Sequence, residues 1–291
     1  MKRKYLLTIM TLSMLCACCE QEYWPEEEHG TTLSVSKVGF SRQSEEGTSK
    51  SYFDTGDEVG LYAYIPQGIN FHKLTCFDTG WTLEYPIPLS EEWTDIYACY
   101  PYDRQNDTPT SFEIEHHSQT DYLYSNMHRV NSTNPVLSLT MIHALALIEF
   151  EFEWMDIPQG ANLDFISIEG WSLSSRAKLN LLTGEMECLK GWNEPAIIYG
   201  WQLNNSYLYE GAKVSLMVVP LDKLEYDGNI LFNFYMDGLK GHWPVPAGTT
   251  WESGKKYTYK VRIQGRKLEI WDVWIDEWID AGSKKITLPY Y

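Results

Sequence analysis

The chain has 291 residues, and its 40 aspartates and glutamates outnumber its 23 lysines and arginines to give a formal net charge of −17. Such an excess of negative charge excludes nucleic acid as a probable partner, because binding to phosphates depends on basic side chains. Six cysteines in a chain of this length do not make a disulfide framework.

The first residues form a secretion signal. Lys2, Arg3 and Lys4 precede a mostly apolar run over residues 6–15, and a basic start followed by such a run is typical of a signal peptide. The run is too short to cross a bilayer as a helix, which takes about 20 residues. We therefore predict a signal peptide over residues 1–17.

The end of this signal resembles the bacterial lipobox, in which a leucine and a small residue precede an invariant cysteine. Leu15, Cys16, Ala17 and Cys18 match that order. The resemblance implies that Cys18 becomes the lipidated first residue of the mature protein, and several acyl chains give effectively permanent membrane attachment. The alternative is a plain secreted protein with spare thiols beside the cleavage point.

Residues 18–32 form an acidic tether. They contain Glu20, Glu22 and the run 26–28 and show no apolar periodicity, which is typical of a solvated linker. Acidic residues soon after the lipid cysteine also resemble the surface-export signal of lipoproteins from gut and oral Gram-negative anaerobes. The resemblance implies a surface-exposed protein of the outer membrane.

Beyond the tether, the local patterns predict strands almost throughout. The clearest is a period of two in which aromatics alternate with carboxylates: Phe150, Phe152 and Trp154 against Glu149, Glu151 and Glu153. This alternation predicts a half-buried antiparallel strand with its carboxylates facing water. Residues 256–263 alternate in the same way, and so, more briefly, do Ile230, Phe232 and Phe234. Turn signals such as Asp227-Gly228 separate the segments. The chain is therefore predicted to be all-β, as a sandwich or a barrel.

The segment Asp156–Gly160 is the predicted break between two domains, residues 33–158 and residues 159–291, each of ordinary domain size. The second domain ends in the short alternating stretch 284–291, which contains Pro289. Because proline cannot donate to a central ladder, this tail suits an edge strand or a strand donated to a neighbour. Pairing with its own sheet is the alternative.

No catalytic motif is present, so no enzyme activity, cofactor or metal site is predicted. The adjacent His116 and His117 are expected in a loop, and His143 is expected to be a packed or hydrogen-bonded core residue. Turn capping explains Asp54, Asp57 and Glu58 better than calcium binding does. Cys76 and Cys99 are left open as either a disulfide or two buried free thiols.

Several phrases in order along the chain resemble the fimbrillin-like family, the pilus subunits and related surface lipoproteins of oral and gut anaerobes. These phrases are SYFDTGDEVGLYA at 51–63, DIYACYPY at 95–102, DYLY at 121–124, HALALIEF at 143–150, WESGKKYTYKV at 251–261 and VWIDEW at 273–278. The resemblance implies two tandem transthyretin-like β-sandwich domains. It also implies a structural or adhesive fimbrial subunit whose partners are other subunits and surface receptors.

The resemblance further implies assembly by strand exchange, in which a protease cuts after an arginine behind the first strand and a neighbour's segment fills the groove. Residues 33–40 form a strand candidate, and Arg42 follows in a polar loop. Arg42 is therefore the matched cleavage position. The alternative is an ordinary loop arginine in a subunit that keeps its lipid.

A rival hypothesis follows from the 12 tryptophans and 20 tyrosines. A surface lipoprotein of this composition could bind glycans through exposed aromatic side chains. Trp192, Trp201, Trp243 and Trp251 lie near glycine, asparagine or proline, as loop binding residues would. Core packing is the competing explanation for these aromatics.

Overall fold

The computed structural model describes residues 31–40, 53–66, 68–155, 162–191, 193–199, 209, 211–264, 267–277 and 284–286. These residues contain strands, turns and loops and no helix, so the predicted all-β class is confirmed. Within them, no helix is long and apolar enough to cross a membrane.

The first half of the chain contains ten strands. Its strands are β1 (Ser34–Phe40), β2 (Glu58–Ile65), β3 (Gly68–Phe77), β4 (Gly80–Leu83), β5 (Thr94–Tyr100), β6 (Phe112–Glu115), β7 (Leu123–Ser125), β8 (His128–Val130), β9 (Val136–His143) and β10 (Ala146–Met155). Eight of them make a sheet of order β1-β9-β7-β5-β2-β3-β4, with β8 also paired to β5. The other two, β6 and β10, belong to different sheets.

The second half contributes to three smaller sheets. Its strands are β11 (Leu163–Gly170), β12 (Arg176–Leu179), β13 (Met186–Cys188), β14 (Ala196–Tyr199), β15 (Ala212–Val218), β16 (Ile230–Met236), β17 (Leu239–Pro244), β18 (Lys255–Gln264), β19 (Lys267–Glu277) and β20 (Lys284–Ile286). The sheet orders are β15-β10-β18-β19-β20, β14-β11-β16-β17 and β13-β12-β6.

The five-stranded and four-stranded sheets enclose a common core and form a β-sandwich. Phe150 of β10 lies at its centre, with its ring centroid 4.9 Å from those of both Phe232 and Phe234 on β16. Tyr257 and Tyr259 of β18 are buried in the same core. The alternation of β10, β16 and β18 in the sequence therefore does mark the faces that pack together.

The outer face of β10 differs from the prediction. Glu149 is buried, accepts a hydrogen bond from Thr258 Oγ1 at 3.1 Å, and lies 3.6 Å from Lys213 Nζ. The reason is that β10 lies inside its sheet, antiparallel to β15 and parallel to β18, so side chains from both neighbours cover the carboxylate. The predicted antiparallel pairing is therefore found with β15 but not with β18, and the carboxylate face is buried at Glu149 and partly exposed at Glu151 and Glu153.

Two further clusters pack against the large sheet. One lies on the inner face of the large sheet and includes Leu61, Leu74 and Leu139. The other joins the opposite face of that sheet, through Tyr62, to the three-stranded sheet, through Phe112 of β6. The small sheet thus covers one face of the large one.

The pairing of strands crosses the middle of the chain. β6 pairs antiparallel with β12, and β10, which precedes the segment 156–160, pairs with β15 and β18. The segment 141–154 is also divided between two sheets, because a bend at Ala144 and Leu145 separates β9 from β10. The division into domains of residues 33–158 and 159–291 stays a prediction.

Candidate strand-exchange groove

The strand β1 lies at the edge of the large sheet, parallel to β9, with Ser34 paired to Val136 and Phe40 to Met141. Just before it, the backbone of residues 31–33 bonds to residues 87–89: Leu33 N–H donates to the Ile87 carbonyl at 2.9 Å, and Leu89 N–H donates to the Thr31 carbonyl at 2.8 Å. Residues 31–40 therefore fill a groove between β9 and the segment 87–89. Without them, backbone groups on both sides would lose their partners.

Alternate side chains hold β1 in this groove. Leu33 and Val38 are buried in the core of the large sheet, whereas Ser34, Ser36 and Lys37 are exposed. At the end of the strand, the ring of Phe40 stacks on Phe53 at a centroid distance of 5.0 Å. Since few side chains are buried, the backbone ladder is a large part of what retains the strand.

The groove ends beside a buried, hydrogen-bonded pair of side chains. His143 Nδ1 lies 2.8 Å from Asp121 Oδ1, and each of these side chains is 6% exposed. The histidine backbone is also fixed, because its carbonyl accepts a hydrogen bond from Ser253 Oγ at 3.0 Å. His143 is thus a buried, hydrogen-bonded residue, in agreement with the sequence prediction.

The described part of the tail, β20, is the last strand at one edge of the five-stranded sheet. β20 pairs antiparallel with β19 of its own chain, with Ile286 opposite Val273 and Lys284 opposite Ile275. This is the own-sheet alternative that the sequence left open for the tail. Residues 287–291, including Pro289, lie outside the described residues.

The other edge of the five-stranded sheet is covered by the loop after β6. The Gln119 side chain bonds to the edge strand β15, since Nε2 donates to the Met217 carbonyl at 2.9 Å and Oε1 accepts from the Met217 N–H at 2.7 Å. Beside it, the buried His116 Nδ1 accepts from the Val219 N–H at 3.3 Å. The edge is therefore closed to strand addition at these positions.

His116 and His117 have different surroundings, as expected for a loop pair. Burial lowers the pKa of His116, whose Nε2 donates to the Glu194 carbonyl at 3.0 Å. His117 is exposed and contacts the carboxylate of Glu115. The two rings do not share a ligand set.

The carboxylates near residue 55 serve a turn. The Asp54 N–H donates to Asp57 Oδ2 at 2.6 Å, Tyr100 Oη donates to Asp57 Oδ1 at 3.1 Å, and Glu58 pairs with Lys73 at 2.9 Å. Among the described residues, no three His, Cys, Asp or Glu side chains are grouped to hold a metal ion.

The cysteines in the described part of the chain are free thiols. Cys99 is buried, and its Sγ lies 3.7 Å from Tyr62 Oη, while Cys76 Sγ lies 4.0 Å from the Phe53 carbonyl. Burial raises the pKa of Cys99 to about 12. Of the two states that the sequence left open, free thiols are the one observed.

Two of the four tryptophans proposed from the sequence as sugar-binding residues lie in the core. Trp251 is fully buried and donates from Nε1 to Tyr259 Oη at 2.9 Å, and Trp243 is 9% exposed. For these two the prediction was wrong, because both fill the sandwich core. Trp192 and Trp201 lie outside the described residues. The sequence analysis did not single out Trp171, which is exposed. The available signal was its position in Gly170-Trp171-Ser172, directly after a strand pattern.

Two site residues predicted from the sequence, the lipidation candidate Cys18 and the cleavage candidate Arg42, also lie outside the described residues. The described strand β1 ends at Phe40, so Arg42 follows it closely in the sequence.

Known proteins share this architecture. The model of the fimbrillin-like family matches residues 75–278. Crystal structures of proteins provisionally assigned to cell adhesion are similar: one from Bacteroides uniformis has 18% identity and a TM-score of 0.65, covering 85% of this chain and 98% of that one. Another, from Bacteroides ovatus, has 15% identity and a TM-score of 0.63, covering 89% and 99%. These likenesses show a shared fold. No significant match was found among curated proteins.

Proposed function

Because this chain belongs to the fimbrillin-like family, we propose that it is a structural or adhesive subunit of a cell-surface fimbria. Family membership supports a surface appendage as its location, other fimbrial subunits as its partners and a role without enzyme activity. In this proposal the subunit consists of two tandem transthyretin-like β-sandwich domains, residues 33–158 and 159–291.

The subunit assembles by strand donation in this proposal. The observation that carries it is the position of β1, which bonds to β9 on one side and whose preceding residues bond to segment 87–89 on the other. Removal of this strand would leave a groove lined by unpaired backbone groups, and a donated strand could satisfy them together. Cleavage after Arg42 would separate β1 and everything before it from the rest of the chain.

The tail 284–291 is the proposed donor. Its described part pairs with β19 over three residues only, so its release breaks a short ladder. Deletion of residues 283–291 should abolish polymers and spare monomer folding. A polymer ladder unchanged by the deletion would reject this tail as donor.

Lipidation of Cys18 would hold the uncleaved precursor at the outer membrane, with residues 18–32 as its tether. Cleavage after Arg42 would then release the lipid together with β1. Metabolic labelling with radioactive palmitate tests the anchor, and a Cys18→Ala variant, which cannot be acylated there, is the control. Equal labelling of both proteins would contradict acylation at Cys18.

The assembly mechanism is tested by replacing Arg42. Surface-extracted protein is run on SDS gels with and without boiling, and its amino terminus is determined by mass spectrometry. Arg42→Ala should keep the original terminus and lose the ladder, whereas Arg104→Ala, an exposed loop arginine, should behave as wild type. If every chain of shed wild-type protein begins at Cys18, cleavage after Arg42 is refuted.

A further inference from the structure

A tryptophan in the turn after β11, a strand of the four-stranded sheet, is almost fully exposed. Trp171 follows β11 in a turn, and its side chain is 89% exposed, more than any other large apolar side chain in the described part of the chain. Trp243 and Trp251, by contrast, are packed in the core. An exposed tryptophan is a candidate binding residue when other binding groups lie beside it, because tryptophan and tyrosine contribute much of the contact energy at binding sites.

A second exposed aromatic lies on the adjoining loop. Tyr226, between β15 and β16, is 66% exposed. Asn229 joins the two loops, because its Nδ2 donates to Ser172 Oγ at 3.3 Å and its backbone N–H donates to the Tyr226 carbonyl at 3.4 Å. The two aromatic residues are therefore carried by loops that are hydrogen-bonded to each other.

Close backbone packing fixes these loops. A Cβ on Gly170 would lie 2.1 Å from the Asn229 carbonyl oxygen, so only glycine allows this approach. A third loop is attached through Gly228 N–H, which donates to the Val245 carbonyl at 3.1 Å, and through Asp227 Oδ1, which accepts from the Ala247 N–H at 2.6 Å. A surface held in this way loses little conformational entropy when it binds.

We propose that Trp171, Ser172, Tyr226 and Asn229, here called the aromatic loop platform, bind neutral glycans. An indole or phenol face can pack on the C–H face of a pyranose ring, and the Ser172 hydroxyl and Asn229 amide can bond to sugar hydroxyls.

The charge around the platform selects the class of sugar. The exposed carboxylates of Glu225 and Asp227 lie in the Tyr226 loop, and the whole chain carries a net charge of −17. Sulfated or sialylated sugars would therefore be repelled. This binding site goes beyond subunit assembly and does not depend on strand exchange.

The test uses the purified full-length monomer on a neutral glycan array and in native gels that contain mannan, galactomannan or glycogen. Wild-type protein should bind array glycans and be retarded in at least one gel. Trp171→Ala and Tyr226→Ala should each weaken binding about tenfold, the loss expected for the apolar contact area of one ring. Tyr85→Ala, which removes an aromatic that is 64% exposed in the first half, should bind as wild type.

Circular dichroism and urea unfolding must show that each variant is folded. The proposal is overturned if no neutral glycan binds, if Trp171→Ala binds as well as wild type, or if Tyr85→Ala loses as much affinity. Loss of polymers in Trp171→Ala without any glycan binding by wild type would make this face a subunit contact, which also overturns the proposal. Because monomers are used, failure of strand exchange would not affect the result.

Discussion

The ring of Phe40, the last residue of β1, stacks on His143 of β9 with centroids 5.8 Å apart and planes 28° from parallel. The same ring stacks on Phe53. One aromatic side chain thus secures the end of β1.

Phe40→Ala should loosen β1, because both ring contacts are lost from a half-buried site. We expect a decrease of about 1–3 kcal/mol in the free energy of unfolding, measured by urea titration, and faster limited proteolysis near β1. Lys37→Ala, on the exposed side of the same strand, is the control. Equal stability and equal proteolysis of the two variants would contradict an anchoring role for Phe40.

Gln119→Ala should open the covered edge of β15. It removes two hydrogen bonds to Met217, and leaving buried backbone groups unpaired costs about 1–3 kcal/mol. Urea unfolding measures the loss, and size-exclusion chromatography should show more self-association through the freed edge. Gln105→Ala, in an exposed loop, should change neither the stability nor the self-association. A Gln119→Ala protein that stays monomeric and is as stable as wild type would disprove the capping role.

Stability should fall at mildly acidic pH, in part because of His116. Burial holds the pKa of His116 below its usual 6.5, so below that pH the unfolded chain binds a proton that the folded protein resists. The stabilisation that comes from keeping His116 neutral is complete above about pH 6.5, the usual pKa of the unfolded chain. It is lost as the pH falls through the lower pKa of His116 in the folded protein. Protonation would also remove the acceptor of the Val219 N–H.

The measurement is the free energy of unfolding of wild type and His116→Gln between pH 7.5 and pH 5. The variant should be less stable at pH 7.5 and should show a smaller decrease on acidification. Some decrease remains, because burial also lowers the pKa of His72 and of His128. Gln105→Ala, in an exposed loop, should keep the wild-type slope, and an unchanged slope in His116→Gln would refute this assignment.

Gly170→Ala should separate the turn after β11 from the loop before β16, since the added methyl would overlap the Asn229 carbonyl. Backbone must move to relieve the overlap, so we expect a loss of about 1–3 kcal/mol by urea unfolding. Gly39→Ala is the matched control, because its nearest neighbour is the flexible end of Lys37 at 3.1 Å. A Gly170→Ala protein as stable as Gly39→Ala would show that the loops are not tightly coupled.

The strands of the sandwich could be predicted from the sequence because burial on one face imposes a period of two on the side chains. That pattern identified Phe150, Phe232 and Tyr257 as core residues, and the structure buries all three. The same pattern gave the wrong environment for Glu149, because alternation says which side chains share a face and does not say what covers that face.

The sites were less predictable for a similar reason. Trp243 and Trp251 lie near proline and glycine as Trp171 does, yet of these three tryptophans only Trp171 is exposed. Local sequence does not record which loops meet other loops and which residues close a core. Gln119 likewise carried no signal, since its role depends on Met217, which is 98 positions away.

The sequence by itself determined the strand content, the turns at glycine and the membership of a family, since each depends on local residue order and spacing. Tertiary structure decided that β6 pairs with β12, that residues 31–40 fill a groove between two distant segments, and that Trp171 remains in water. The physical reason is that edge pairing and exposure are set by contacts between segments far apart in the chain.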